Sequence, residues 1–154
     1  MKVMLVIVPC GKAKIWDKWP NMGGVHAKDA YIGPSFKRNR AYAERFAEKW
    51  TILSAKYGFI PPEFIIPSPY NVTFKDKSTS PIGYGELKKQ VLEQGLDAFE
   101  QVVGLGGKEY REAILASFPS KEKLRFPFGG FDIFKTNRGI TLALRTNNPF
   151  PDTK

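Results

Sequence analysis

The chain has 154 residues, enough for one domain built on a single sheet and the helices that cover it. Lysine and arginine number 24 against 15 aspartates and glutamates, a net charge of +9, so the partner class to consider first is a polyanion, nucleic acid above all. One cysteine excludes a disulfide framework, one histidine leaves no Cys/His zinc set, and no stretch approaches the roughly 20 apolar residues of a membrane span.

"KVMLVIVPC" is a near-continuous apolar run of strand length, rich in valine and isoleucine, and reads as a central strand covered on both faces. It is too short for the apolar region of a signal peptide and has no small-residue cleavage site, so the chain reads as a cytoplasmic monomer. Residues 11 to 34 follow with glycine, proline and asparagine punctuation and no periodicity, a loop of a length that is usually functional. "SFKRNRAYAERFAEKW" then opens on Ser35 as an N-cap and places Ala43, Phe46, Ala47 and Trp50 at helical spacing.

"WTILSAKY" is the second strand, followed by a second long loop up to Pro81. "IGYGELKKQVLEQGL" is the second helix, with Gly95 near its end. "AFEQVVGLGG" reads as the third strand with a glycine turn, "KEYREAILASF" as the third helix, and "KLRFPF" as a short fourth strand. "GITLAL" suits a last strand or a short helix equally. Repetition of strand, loop and helix predicts a three-layer α/β/α sandwich over residues 1–154, with a short, mainly parallel central sheet.

In such a sheet a ligand lies beyond the carboxyl ends of the strands. The first strand ends in "PCGKAK", the second in "SAKYG" and the third in "GLGGKEY", each with small residues beside lysine. Cys10, Gly11, Lys12, Lys14, Ser54, Lys56, Tyr57, Gly106, Gly107 and Lys108 should therefore share one rim. The glycines let a backbone approach a ligand, and the lysines neutralise phosphate. "GLGG" matches neither a Walker loop nor a dinucleotide fingerprint, so no cofactor and no metal is expected.

The long loops add Asp29 and Tyr31 from "AKDAYIGPSF", and Tyr70 and Asn71 from "PSPYNVTF". Asp29 is a candidate general base or stabiliser of a developing cation. Tyr70 can stack on a base whose edge Asn71 reads with donor and acceptor. "FPFGGF" combines Phe126, Phe128 and Phe131 with a flexible glycine pair, Phe126 reading as core.

These elements, Cys10 to Lys14, Ala27 to Tyr31, Ser35 with Phe36, Ile52 to Gly58 and Pro69-Tyr70, resemble a family of small uncharacterised prokaryotic and phage domains with the motifs C-G-K-x-K, A-x-D-x-Y, S-x-x-F, I-L-S-A-K-Y-G and P-Y. The family often carries an acidic residue where this chain has Asn71, and its S-x-x-F spacing is contracted here. More distantly, the element order resembles the uracil-DNA glycosylase-like fold, whose members bind a flipped base at the strand ends. Its water-activating motif is not reproduced by "PCGKAK", so the carboxylate must come from elsewhere, Asp29 being nearest.

The function expected is therefore cleavage of the N-glycosidic bond of a damaged or modified base in DNA, with Asp29, Lys56 and Lys12 as the catalytic candidates and Lys56 or Lys12 as a Schiff-base nucleophile. A non-catalytic nucleic-acid-binding module and an enzyme of free nucleosides or nucleotides are the alternatives.

Overall fold

A computed structural model describes residues 3–153. Its elements are β1 (Met4–Pro9), β2 (Val25–His26), α1 (Ala27–Ala30), α2 (Pro34–Phe46), β3 (Lys49–Ser54), β4 (Gly58–Ile60), β5 (Ile65–Ile66), α3 (Tyr84–Glu93), β6 (Gln101–Gly104), α4 (Lys108–Ser117), β7 (Leu124–Arg125) and α5 (Ile133–Thr146). The main sheet runs β4-β3-β1-β6-β7, and β2 pairs with β5 in a separate ribbon that ties the two long loops together.

β1 is parallel to both β3 and β6, and β6 is parallel to β7; only β4 runs antiparallel, on the edge. All six residues of β1 are buried, as a central strand with apolar side chains on both faces requires. Met4, Val6 and Val8 pack with Phe36, Tyr42 and Ala43 of α2 and Ile140 and Ala143 of α5. Leu5 and Ile7 point the other way, onto Leu87 and Val91 of α3 and Ala113 and Ile114 of α4. The period-2 alternation of one strand thus separates two cores, and the fold is a three-layer α/β/α sandwich.

One reading left open is decided and two expectations are corrected locally. "GITLAL" is helix: Asp132 caps α5 by accepting a hydrogen bond from the Lys135 amide, and Ile140 and Ala143 fall on one buried face. Gly33, not Ser35, caps α2, because Pro34 supplies the first-turn residue whose missing N–H costs nothing there. The loop after Ser54 turns back at once into β4, pairing Ser54 with Gly58.

Chain order positions the ligand end. From β1 the chain moves to β3 on one side, then crosses to β6 on the other, so the connections leaving β1 and β6 diverge. This is a topological switch point, where neighbouring loops part and leave a crevice.

Candidate functional site

At the end of β3, the fully buried Ser54 accepts hydrogen bonds from the amides of Lys56 (3.2 Å) and Tyr57 (3.1 Å). The serine therefore builds the turn that reverses the chain into β4. Gly58 follows at φ +77°, and a Cβ there would lie 2.1 Å from Gln90 Oε1. That amide is already spent, accepting from Phe59 N at 2.8 Å and donating to Tyr57 O at 2.9 Å.

Ser54 Oγ also lies 3.0 Å from the Tyr70 hydroxyl, which lies 2.5 Å from the Tyr31 hydroxyl. The two long loops and β3 therefore meet in one buried chain of hydroxyls. Tyr57 packs its ring edge-on against Tyr70 at 5.5 Å. At the end of β1, Cys10 Sγ is 3.2 Å from the Tyr110 hydroxyl, which also donates to Cys10 O at 3.3 Å. Burial drives the Tyr31, Tyr70 and Tyr110 hydroxyls well above the ordinary phenol range, reinforced in all three by Cys10 and in Tyr31 and Tyr110 by Tyr70, while the hydrogen bonds to Ser54 and Tyr31 pull Tyr70 back down in part. All three are hydrogen-bond donors at physiological pH rather than bases.

Lys14 is buried, donates from Nζ to Lys12 O at 3.2 Å and holds its ammonium 4.6 Å from the centre of the Tyr70 ring. Burial lowers its amine below the ordinary lysine value, opposed by Cys10 and Asp17. Its backbone N–H donates to Asp17 Oδ2 at 2.8 Å, which fixes the turn that carries it.

Two hollows flank this cluster. The first, about 430 Å³, sits at the switch point, lined by Pro9, Cys10, Gly104 to Gly107 and Tyr110 from the strand ends, Ser35 and Asn39 from α2, Lys75, and Phe128, Gly129, Phe131, Ile133, Thr136 and Asn137 from the final segment. Gly106 turns at φ +113°, and its Cβ would crowd Pro9 and Tyr110 at 3.1 Å, so only glycine brings the backbone this close. Gly107 caps α4, whose first-turn amides begin at this rim. The second hollow, about 520 Å³ and more open, is lined by Lys12, Lys14, Asp17, Pro69, Tyr70 and Asn71.

Most of the residues expected on one rim therefore do come together. Cys10, Gly106 and Gly107 line the first hollow, Lys12, Lys14, Tyr70 and Asn71 the second, and Tyr31, Ser54 and Tyr57 gather around the Tyr70 hydroxyl and ring. Gly11 adjoins this cluster, its Cβ position 3.9 Å from Tyr31. Lys56 is exposed, 5.2 and 5.7 Å above the rings of Tyr57 and Tyr70. Lys108 points outward and pairs with Glu112 at 3.9 Å. Asp29 is not in the cluster: it is exposed on the outer face of α1 and pairs with Arg40 at 3.7 Å, Ala27 and Ala30 facing inward instead. It lines neither hollow, and the first hollow is lined by no carboxylate.

Asn39 went unnoticed in the sequence. It occupies the buried stripe of α2 with Phe36, Tyr42 and Ala43, and its amide makes no side-chain hydrogen bond among the described residues while lining the first hollow. A polar residue at an apolar stripe position was the available signal. Asn137 and Tyr110 add an amide and a phenol to the same walls.

Among the described residues no three His, Cys, Asp or Glu side chains gather as a metal site, and no helix is long and apolar enough to cross a membrane. A family model described as "Family of unknown function (DUF6884)" matches residues 5–139. The chain is 39% identical over 144 residues to "Uncharacterized protein YfjM" of Bacillus subtilis (strain 168), covering 94% of this chain and 92% of that protein. No solved structure matches it.

Proposed function

The chain belongs to the DUF6884 family, a family of unknown function, and from that premise we propose that it is an N-glycosidase that takes a modified or damaged base of DNA into the switch-point hollow. The observation that carries this reading is Asn39, a buried amide with its hydrogen-bonding capacity unspent, facing a hollow of about 430 Å³ between aromatic walls. A primary amide offers one acceptor and two donors, the complement of a base edge, and Tyr110, Phe128 and Phe131 supply surfaces for its faces. Such a site selects a base already taken out of the stack. The distant resemblance of the sequence's element order to the uracil-DNA glycosylase-like fold supports the same reading.

The position of Asp29 moves the proposed chemistry to Lys14. Lys14 lines the second hollow, so in this reading the sugar lies between the two hollows with its base in the first. Burial lowers the Lys14 amine below the ordinary lysine value, which favours its unprotonated, nucleophilic form. In the proposed step its lone pair attacks C1′, and the C1′–N bond breaks. The base leaves with the bonding pair and takes a proton from water, and the attacking nitrogen releases one of its own to solvent. Ring opening then yields an imine between Lys14 and the sugar, which water hydrolyses to free the lysine. Lys12 and Lys56, more exposed, neutralise flanking phosphates.

The test is incubation with labelled oligonucleotides, each carrying one modified base, with products separated before and after hot alkali. Loss of a base from at least one, abolished in Asn39→Ala, is the expected result; an unchanged panel removes the reading. The absence of a carboxylate from the first hollow favours a second reading, a non-catalytic module that only grips an extruded base. It predicts base-dependent binding with no release.

A further inference from the structure

A third hollow, about 550 Å³, lies along α5, bordered by Arg38 of α2 and by Asp152 and Thr153 near the end of the chain; we refer to it as the α2/α5 groove. Arg38 of α2 and Lys135, Arg138 and Arg145 of α5 line it, with Asp152 as its one lining carboxylate. Arg38, Arg138 and Arg145 are exposed, so their charge is available to a partner rather than spent on the fold. Arg138 and Arg145 lie seven residues apart on one helix, about 10 Å along its axis, which spreads the charge into a row. A row of guanidinium groups suits a chain of phosphates better than a single anion.

The groove adjoins the switch-point hollow. Asn137 lines both, and Lys135 holds its ammonium 4.3 Å from the centre of the Phe131 ring, itself a wall of that hollow. Between Ile133, which lines the switch-point hollow, and Lys135, which lines the groove, α5 carries Phe134, 73% exposed, a ring with no core to enter and free to stack on a base. We propose that the α2/α5 groove carries the phosphodiester backbone of a single-stranded nucleic acid and delivers one of its bases past Phe134 into the switch-point hollow. A concave, cation-lined groove beside an exposed aromatic ring is the arrangement by which single strands are held without sequence preference. This rests on the reading of the hollow as a base site but locates the strand on a surface that reading does not use.

Binding of a labelled 12-nucleotide single strand and of the same sequence as a duplex, followed by fluorescence anisotropy over a salt series, tests it. The wild type should prefer the single strand. Arg138→Gln with Arg145→Gln should weaken binding at least several-fold and lower the slope of log affinity against log salt by roughly 0.7 per charge removed. Lys88→Gln with Lys89→Gln, on the α3 face, should change the affinity far less. All these side chains are exposed, so thermal unfolding should be unaffected. Equal loss in both double variants, duplex preference, or binding only to phosphatidylserine vesicles would overturn the proposal. Groove-dependent binding without base release would reject the N-glycosidase reading and leave the groove; base release insensitive to Arg138 and Arg145 would do the reverse.

Discussion

Ser54, the last residue of β3, and Tyr70, sixteen residues further on, share a hydrogen bond of 3.0 Å that fastens the second long loop to the end of the sheet. Ser54 also satisfies two backbone N–H groups of the turn, so its hydroxyl serves three partners in a place without water contact. Ser54→Ala should therefore cost about 1–3 kcal/mol, the range for leaving buried donors unmet. Urea denaturation measures it. Tyr70→Phe should cost less, because it removes one hydroxyl and leaves the turn intact.

Gly58 and Gly95 separate backbone strain from a steric clash. Both have positive φ, +77° and +66°, but only Gly58 has a neighbour, Gln90, where a Cβ would go. Gly95→Ala should cost about 1 kcal/mol, and Gly58→Ala about 2–3 kcal/mol because the Gln90 bridge is lost with it. Comparable losses for the two would mean that the bridge contributes little.

Asn39 separates function from stability. Its amide spends no hydrogen bond on the protein, so Asn39→Leu should leave the melting temperature unchanged or raise it, since an apolar side chain suits the buried stripe of α2. Base release should be lost all the same. Calorimetry and the oligonucleotide assay, run on the same preparation, check both.

Lys14 predicts a pH dependence of known sign. Its folded-state amine titrates below the unfolded value of 10.5, so between the two the unfolded chain binds more protons and stability rises with pH. The penalty for burying the charge is present below the folded pKa and disappears on approach to 10.5. Lys14→Met should accordingly gain most over the wild type near neutral pH, and the gap should narrow as pH rises. Urea midpoints at neutral and alkaline pH read it directly.

The layered fold was legible because its determinants are runs. An apolar stretch such as Met4–Pro9 needs cover on both faces whatever surrounds it, and three strand ends rich in glycine and lysine marked one rim. "GITLAL" was not legible, since six residues satisfy either period; the Asp132 cap, the close packing of Gly139 against Phe128 and the burial of Ile140 decide for helix. Nearness in sequence misled for Asp29: only two residues from the buried Tyr31, it lies on the outer face of a four-residue helix whose alanines turn inward. Asn39 was hidden for the opposite reason, because a polar residue among arginines and lysines looks like surface until the helix stripe is drawn.

The most direct measurement is borohydride trapping on an oligonucleotide from which base is released, followed by peptide mapping of the adduct. Reduction of the proposed imine should leave a stable protein–DNA cross-link on Lys14, absent from Lys14→Met and unaffected in Asp29→Asn. Base release with no cross-link, or a cross-link on Lys12 or Lys56, would contradict the account.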